Sequence, residues 1–460
     1  MRHLLPPFAA LALTCGAWGQ GSVLLQDVVE LPRLGNGNAD HSTVAVNSNG
    51  DIFVAWHCQT VYAGPHQVEG LLLRRSTGLT WDRPQPADVL LLGDPSHAVF
   101  STGEECVKPD VVALGTDFLV CWPRNEPATG WSQLEAALVM VPPAGPAVVD
   151  APLPGIGWVV DPLLVGGDAG VMPDLCAREA SPGVAAVVYA HETFAQAALR
   201  EYELRATTID FSVSPPVIGP ITALSTAVPV DNTAFGPAGG RVVPDVVEDD
   251  FGHLVIAYET YELAVHNGLL SDEGHITVLR VSELGGVWTE LEREVYDGIF
   301  LEHWERRPNL ATSRTDLTNS VSLTWIEQGL NLFADLDVRY AELEFFGGAG
   351  PGAVTLTGFP FPNLSNRDHA LPVPIHSSGF RTVVCSRWYT LATSIVAFSA
   401  MPPRSERRLP TPVNWAWRPA VDLLEIGAPG TAGSRLIPVS YEGESLSSSD
   451  NVIFVQVFRR

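Results

Sequence analysis

Arginine, lysine and glutamate recur at two set places along this chain. At the start of one recurring apolar run stand Asp40, Lys108, Arg306, Arg307, Arg367, Asp368 and Arg418. At the end of the run that follows it stand His57, Arg124, Glu192, Glu259, Glu327 and Glu442. A guanidinium is a planar fork of N–H donors that fits a carboxylate or a phosphate. Two carboxyls at a suitable separation can hydrolyse a glycosidic bond. Tyr258 and Tyr441, beside Glu259 and Glu442, offer ring faces to a sugar. The candidate ligand-binding residues are therefore Lys108, Arg307, Arg418, Arg367, Glu192, Glu259, Glu327 and Glu442. The same side chains would also serve as ion pairs between neighbouring units, and such networks perturb pKa values with no catalytic purpose. Both readings stay open, and no residue is assigned a catalytic role.

Other chemistries find less in the sequence. His41 and His369 open two of the repeated units where the others have Pro, with Asp40 and Asp368 adjoining them. That is a weak start to a metal site, which needs further ligands, and no metal is assigned. Asn47-Ser-Asn-Gly-Asp51 has the acidic spacing of a calcium loop without its later Glu, and Asn49-Gly50 reads more simply as a hairpin turn. There is no CxxC or CxxH spacing, nucleophile elbow, phosphate loop or dinucleotide fingerprint. No cofactor is expected.

The elements that must position these residues come from repetition. His41-Ser-Thr-Val-Ala-Val-Asn-Ser-Asn-Gly-Asp-Ile-Phe-Val-Ala-Trp56 is an apolar run, a polar turn and a second apolar run ending on an aromatic residue. The phrase returns from Pro109 to Trp122, Pro173 to Tyr189, Pro244 to Tyr258, Pro308 to Trp325, His369 to Cys385 and Pro419 to Tyr441. Each copy reads as a β-hairpin. Two more strand-like runs lie between copies, such as Gly70–Arg75 and Ala87–Leu92. Four short strands per unit, with no sustained helical periodicity, describe an all-β protein: a single β-propeller of four-stranded blades. Seven blades are expected, or six if the loosely matching sixth copy is not one. The last unit stops after its third strand, while a surplus strand, Ser22–Leu31, precedes the first. The expectation is that this N-terminal strand completes the last blade and closes the ring. The recurrent Trp56, Trp122, Tyr189, Tyr258, Trp325 and Tyr441 are expected to pack blades together rather than to bind ligand.

Charge and cysteines bound the setting. There are 52 acidic against 27 basic residues, a net charge of −25, and Lys108 is the only lysine. That balance disfavours nucleic acid and anionic membrane surfaces as partners. Residues 1–19 read as a secretory signal, with a basic start, an apolar stretch and Ala17-Trp18-Gly19 as a cleavage site. Residues 20–460 form the propeller, a secreted or periplasmic monomer with no membrane span. The mature chain keeps Cys58, Cys106, Cys121, Cys176 and Cys385. Cys58 and Cys106 fall on the same rim of neighbouring blades and are the candidate disulfide; the other three sit in apolar runs as buried thiols.

Arg74-Arg-Ser-Thr-Gly78-Leu-Thr-Trp81 resembles the Asp-box of sialidases and related BNR-repeat propellers, a Ser-x-Asp-x-Gly-x-Thr-Trp turn between the third and fourth strands of a blade. Gly78, Thr80 and Trp81 match it and the Asp is missing. Ser282–Trp288 is a second, weaker copy. Arg307-Pro308-Asn-Leu-Ala and Arg418-Pro419-Ala-Val resemble the opening of such blades. The resemblance implies the fold. Family sialidases are six-bladed and use three Arg on the sugar carboxylate, a Tyr–Glu nucleophile and an Asp acid/base, a set with no assigned counterpart here.

Two functions follow as expectations. One is a secreted, non-catalytic propeller that binds a glycan or an extracellular protein at its channel rim. The alternative is a sialidase-like glycoside hydrolase or lyase acting on an acidic sugar held by Arg307, Arg418 and Lys108. A flat rim with each Arg paired to a Glu suits the first; a pocket of converging cations with a nearby Asp or Glu suits the second.

Overall fold

A computed structural model describes residues 23–459, apart from 77–79, 98, 100–102, 127–130, 166–171, 197–198, 232–242, 267–268, 297–302, 314–319, 330–335, 345–368, 378–379, 390–391, 400–405, 414, 427–433 and 449. The expected signal segment, residues 1–19, and the candidate Arg367 lie outside the described residues, as does Gly78 of the box-like turn.

Seven antiparallel sheets make a seven-bladed β-propeller. Blade 1 runs Ala39–Val46, Ile52–Gln59, His66–Leu73 and Val89–Gly93. In blade 2 the first strand is broken into Glu105–Cys106 and Asp110–Leu114, followed by Asp117–Glu126 and Trp131–Met140. Blade 3 starts at Asp174–Ala177, blade 4 at Asp245–Glu248, blade 5 at His303–Thr312, blade 6 at His369–Ser377 and blade 7 at Ala416–Val421. Three strands of blade 5 are seen among the described residues. The loosely matching sixth copy is a full blade, with Phe380–Tyr389, Ala392–Ser399 and Glu406–Arg408 beside its first strand. Val23–Glu30 pairs antiparallel with Asn451–Arg459, the last strand of blade 7. The N-terminal strand thus closes the ring, as the surplus-and-deficit count of strands required.

The local chemistry of each hairpin explains its turn. In blade 1 the Asn47 side-chain oxygen accepts the backbone N–H groups of Asn49 and Asp51, at 3.0 and 2.9 Å. In blade 4, Asp249 does the same for Phe251 and His253. Gly50 and Gly252 take the left-handed conformation these turns need, at φ 83° and 76°. The Asn47–Asp51 segment is a hairpin turn whose polar oxygen is used by its own backbone.

The core is divided into seven wedges, one between each pair of adjacent blades, because every sheet is apolar on both faces. Trp56, Trp122, Tyr189, Tyr258, Trp325 and Tyr441 are all buried in these wedges. They pack blades together. The first strand of every blade touches the first strand of the next, so seven first strands form a closed ring around the central axis.

The expected Cys58–Cys106 disulfide is absent: both are free thiols. Cys58 belongs to the wedge between blades 7 and 1, Cys106 to the wedge between blades 1 and 2. The sheet of blade 1 separates them, and sharing a rim does not place two side chains on the same face of it. Cys58 instead sits against the carbonyls of Gly37 and Gln59, and burial pushes its thiol up to about 12. Cys121, Cys176 and Cys385 are buried thiols.

Candidate functional site

The ring of first strands carries a bulge near one mouth of the channel. The strand register slips between Asp40 and Thr43, Arg306 and Asn309, Ala370 and Val373, and Trp417 and Ala420. At each slip a non-glycine residue adopts a left-handed backbone: His41 at φ 51°, Arg307 at 52°, Leu371 at 56° and Arg418 at 47°. Lys108, at φ 47°, is its counterpart where the first strand of blade 2 breaks. That conformation costs a non-glycine residue about 1–2 kcal/mol and persists only where its surroundings enforce it.

The surroundings do so with one repeated bond. The residue after the aromatic of one blade, or after Cys385 at that place in blade 6, accepts the backbone N–H of the left-handed residue in the next. His57 Nδ1 takes the N–H of Lys108 at 3.0 Å, Ser386 Oγ that of Arg418 at 3.0 Å, Glu442 that of His41 at 2.6 Å, and Glu259 that of Arg307. These latches tie blade 1 to 2, 6 to 7, 7 to 1 and 4 to 5.

The left-handed residues and their neighbours enclose a cavity of about 470 Å³ on the axis, to which all seven blades contribute. At the first level stand His41, Lys108, Met172, Val243, Arg307, Leu371 and Arg418. The next residue is a buried proline in six of the seven blades and Ser42 in blade 1. One residue further in come Thr43, Asp110, Asp174, Asp245, Asn309, Val373 and Ala420. The first level therefore carries cations on blades 7, 2 and 5 and an imidazole on blade 1, and is apolar on blades 3, 4 and 6. The second is acidic on blades 2, 3 and 4.

Electrostatics shows how closely the cations gather. Burial, then the charges of His57, Arg418, Lys108 and Arg307, hold the His41 imidazole well below the usual histidine range. Arg418 Nη1 donates to His41 Nδ1 at 3.3 Å, so that nitrogen is unprotonated. The His57 ring lies 4.9 Å from that of His41, tilted by 37°, and is itself pushed down by burial and by His66, Lys108 and Arg418. Lys108, Arg307 and Arg418 thus converge on one cavity rather than on a flat rim.

On the acidic level, Asp110 takes the Thr43 hydroxyl at 2.9 Å and the Leu175 N–H at 2.8 Å. Asp174 takes the Val246 N–H and Asp245 the Leu310 N–H, at 2.6 and 2.7 Å. Each carboxyl so binds the backbone of the following blade. Burial pushes Asp110 up to about 7. Burial, then the charges of Asp245 and Asp110, pushes Asp174 well above the usual carboxylate range, and burial raises Asp245 too. The neighbouring Asp245 carboxyl thus favours the protonated form of Asp174.

The remaining candidates divide. Glu442 is wholly buried and takes bonds from the His41 N–H, from Trp417 Nε1 and from Arg418 Nη1, the last at 3.3 Å to Oε1. Burial pushes its carboxyl up to about 7 against the pull of Arg418. Glu259 lines the cavity. Glu327 lies one residue past that level and bonds Arg339 on the next strand of its own blade. Glu192 pairs with Tyr202 within blade 3, and its side chain lies outside the described residues. His369 does not stand level with His41: Leu371 does, with Pro372 in the proline's place, and His369 pairs with Arg387 two residues before it. Among the described residues no group of three or more His, Cys, Asp and Glu is arranged to hold a metal. Asp110, Asp174 and Asp245 were missed in the sequence. Their signal was the triplicate Pro-Asp at residues 109–110, 173–174 and 244–245. Tyr258 and Tyr441 are buried between blades and present no face to a ligand.

No family model matches this chain, and no curated protein does. Solved structures similar to it include a protein of unknown function from Dyadobacter fermentans, 12% identical over 95% of this chain and 99% of that one, with a TM-score of 0.46. A Trypanosoma rangeli sialidase is 10% identical over 84% of this chain and 60% of its own, with a TM-score of 0.41. An endo-arabinanase from Bacillus licheniformis is 11% identical over 70% and 99%, with a TM-score of 0.34. The chain spans well under two thirds of that sialidase. At these identities and scores the likenesses carry no argument about residues or reactions.

Proposed function

We propose that this protein is an exported β-propeller that binds an acidic glycan in its central cavity, with the sugar's carboxylate among Lys108, Arg307 and Arg418. The observation that carries the reading is the convergence of those three cations on one cavity, where all three act on His41. Asp110, Asp174, Asp245 and Asn309, one level further in, offer acceptors to sugar hydroxyls. Met172 and Val243 give an apolar arc for the ring's carbon face. Binding without turnover is favoured by how the carboxyls are used. Glu259, Glu442, Asp110, Asp174 and Asp245 all accept backbone N–H bonds that join one blade to the next.

One observation favours hydrolysis as a second reading. Burial and the neighbouring Asp245 favour the protonated form of Asp174 at the cavity floor, and a carboxyl kept protonated at neutral pH is what a general acid needs. An array of acidic and neutral glycans, run beside fluorogenic sialoside and glucuronide substrates, separates the two. Binding restricted to acidic glycans, without release of fluorophore, supports the first. Turnover that is abolished by Arg307→Ala and Asp174→Asn establishes the second.

A further inference from the structure

Arg418 faces a carboxylate partner inside its own blade. Its Nη1 lies 3.3 and 3.4 Å from the two Glu442 oxygens and 3.3 Å from His41 Nδ1. One nitrogen thus serves three acceptors. Among the described residues Nε and Nη2 make no hydrogen bond, and the side chain is about a third exposed, at 36%. This is not the two-armed fork an arginine forms with a settled partner. Glu442, in contrast, is fixed: the His41 N–H and the Trp417 indole hold it from two other sides, and it is fully buried. The guanidinium is the movable half of the pair and it faces the cavity.

We propose that Glu442 is an internal competitor for the ligand's anionic group: ionised, it holds Arg418 back; protonated, it releases Arg418, so the cavity captures acidic sugars more tightly as pH falls. This rests on the acidic-glycan reading above and adds its regulation. A carboxylate entering beside Arg418 would meet the Glu442 charge across one guanidinium, and like charges that share a site disfavour each other's ionised form. Taking a proton onto Glu442 removes that repulsion and keeps its second oxygen as an acceptor for the His41 N–H. Burial already places Glu442 near 7, where the proton is available.

The other groups facing this cluster are Asp40, which raises Glu442, and His41, His57, Lys108 and Arg307 around the cavity. Asp110, two blades along, titrates in the same range and must be distinguished.

The test is titration calorimetry with glucuronic acid and with sialic acid from pH 6 to 8. If the ligand takes only the protonated form, affinity falls about tenfold across that range, following the competent fraction. In two buffers of unequal ionisation enthalpy, binding at the alkaline end takes up close to one proton per sugar. Glu442→Gln, which carries no charge, brings the affinity at pH 8 up to its value at pH 6 and removes the slope. Binding that is independent of pH and releases or takes up no proton overturns the proposal while leaving the glycan reading intact. A slope retained in Glu442→Gln overturns it too, assigning the proton to Asp110 or His41. No binding of either sugar at any pH overturns both. The buffer comparison needs only the wild-type protein, so the proposal stays falsifiable if the variant does not fold.

Discussion

Replacing Glu442 by Gln should stabilise this protein in alkali and destabilise it slightly in acid. The carboxyl is wholly buried, and its folded-state pKa stands at about 7 against an ordinary 4.5. The folded state therefore holds a proton that the unfolded chain releases on passing 4.5. Stability falls as pH rises from there, and the loss is complete once pH exceeds 7. The gap corresponds to about 3 kcal/mol at 1.36 kcal/mol per unit, of which about 2.5 kcal/mol develops between pH 5 and pH 8. Gln keeps one acceptor for the His41 N–H but sets an NH2 group in place of the oxygen that takes the Trp417 indole N–H, a cost of about 1–2 kcal/mol present at both pH values. That constant cancels in the comparison. Denaturant unfolding followed by tryptophan fluorescence should show the variant gaining about 2.5 kcal/mol on the wild type between pH 5 and pH 8. A difference that is flat with pH, or that grows in acid, would refute the reasoning, because the buried charge would then not be the cost.

The remaining expectations test the packing. Cys58, Cys106, Cys121, Cys176 and Cys385 are buried free thiols, so a thiol reagent should find none of them in the native protein and all five after denaturation without reductant; two that emerge only after reduction would restore a disulfide. Trp122→Ala empties the wedge between blades 1 and 2, where the indole is fully buried, and should cost about 3–5 kcal/mol by denaturation. Deleting residues 23–30 strips the partner from Asn451–Arg459 and exposes a long apolar edge, so light scattering should show more association than in the intact chain.

The fold could be read from the sequence because its signal repeats. Seven noisy copies of one hairpin reinforce each other, and the missing strand of the last blade matched the spare strand of the first. The sixth unit was placed three residues early, at His369 rather than Pro372, because a weak copy was aligned on a polar residue instead of on the Leu371-Pro372 step that the bulge demands. Lys108, Arg307 and Arg418 could be found since strand order puts residues at equal depth on one ring. The three aspartates two residues further along the strand could not be told from turn residues until the bulge fixed which side chains face the axis. The disulfide failed for a related reason: position along a strand gives height in the wheel, while the face of the sheet depends on parity and on local breaks. The pairing of Glu442 with Arg418 across adjacent strands was likewise beyond a reading that set cations and acids on the rim only by rank.

The cavity's role rests on what its cations hold. Calorimetric titration of the purified protein with glucuronic acid and with glucose, which differ in the carboxylate, tests this most directly. The acid should bind and glucose should not, and Arg307→Ala or Lys108→Ala should each abolish the binding. Equal affinity for the two sugars, or binding of the acid that survives loss of either cation, would contradict the claim that this cavity is built for an anionic group.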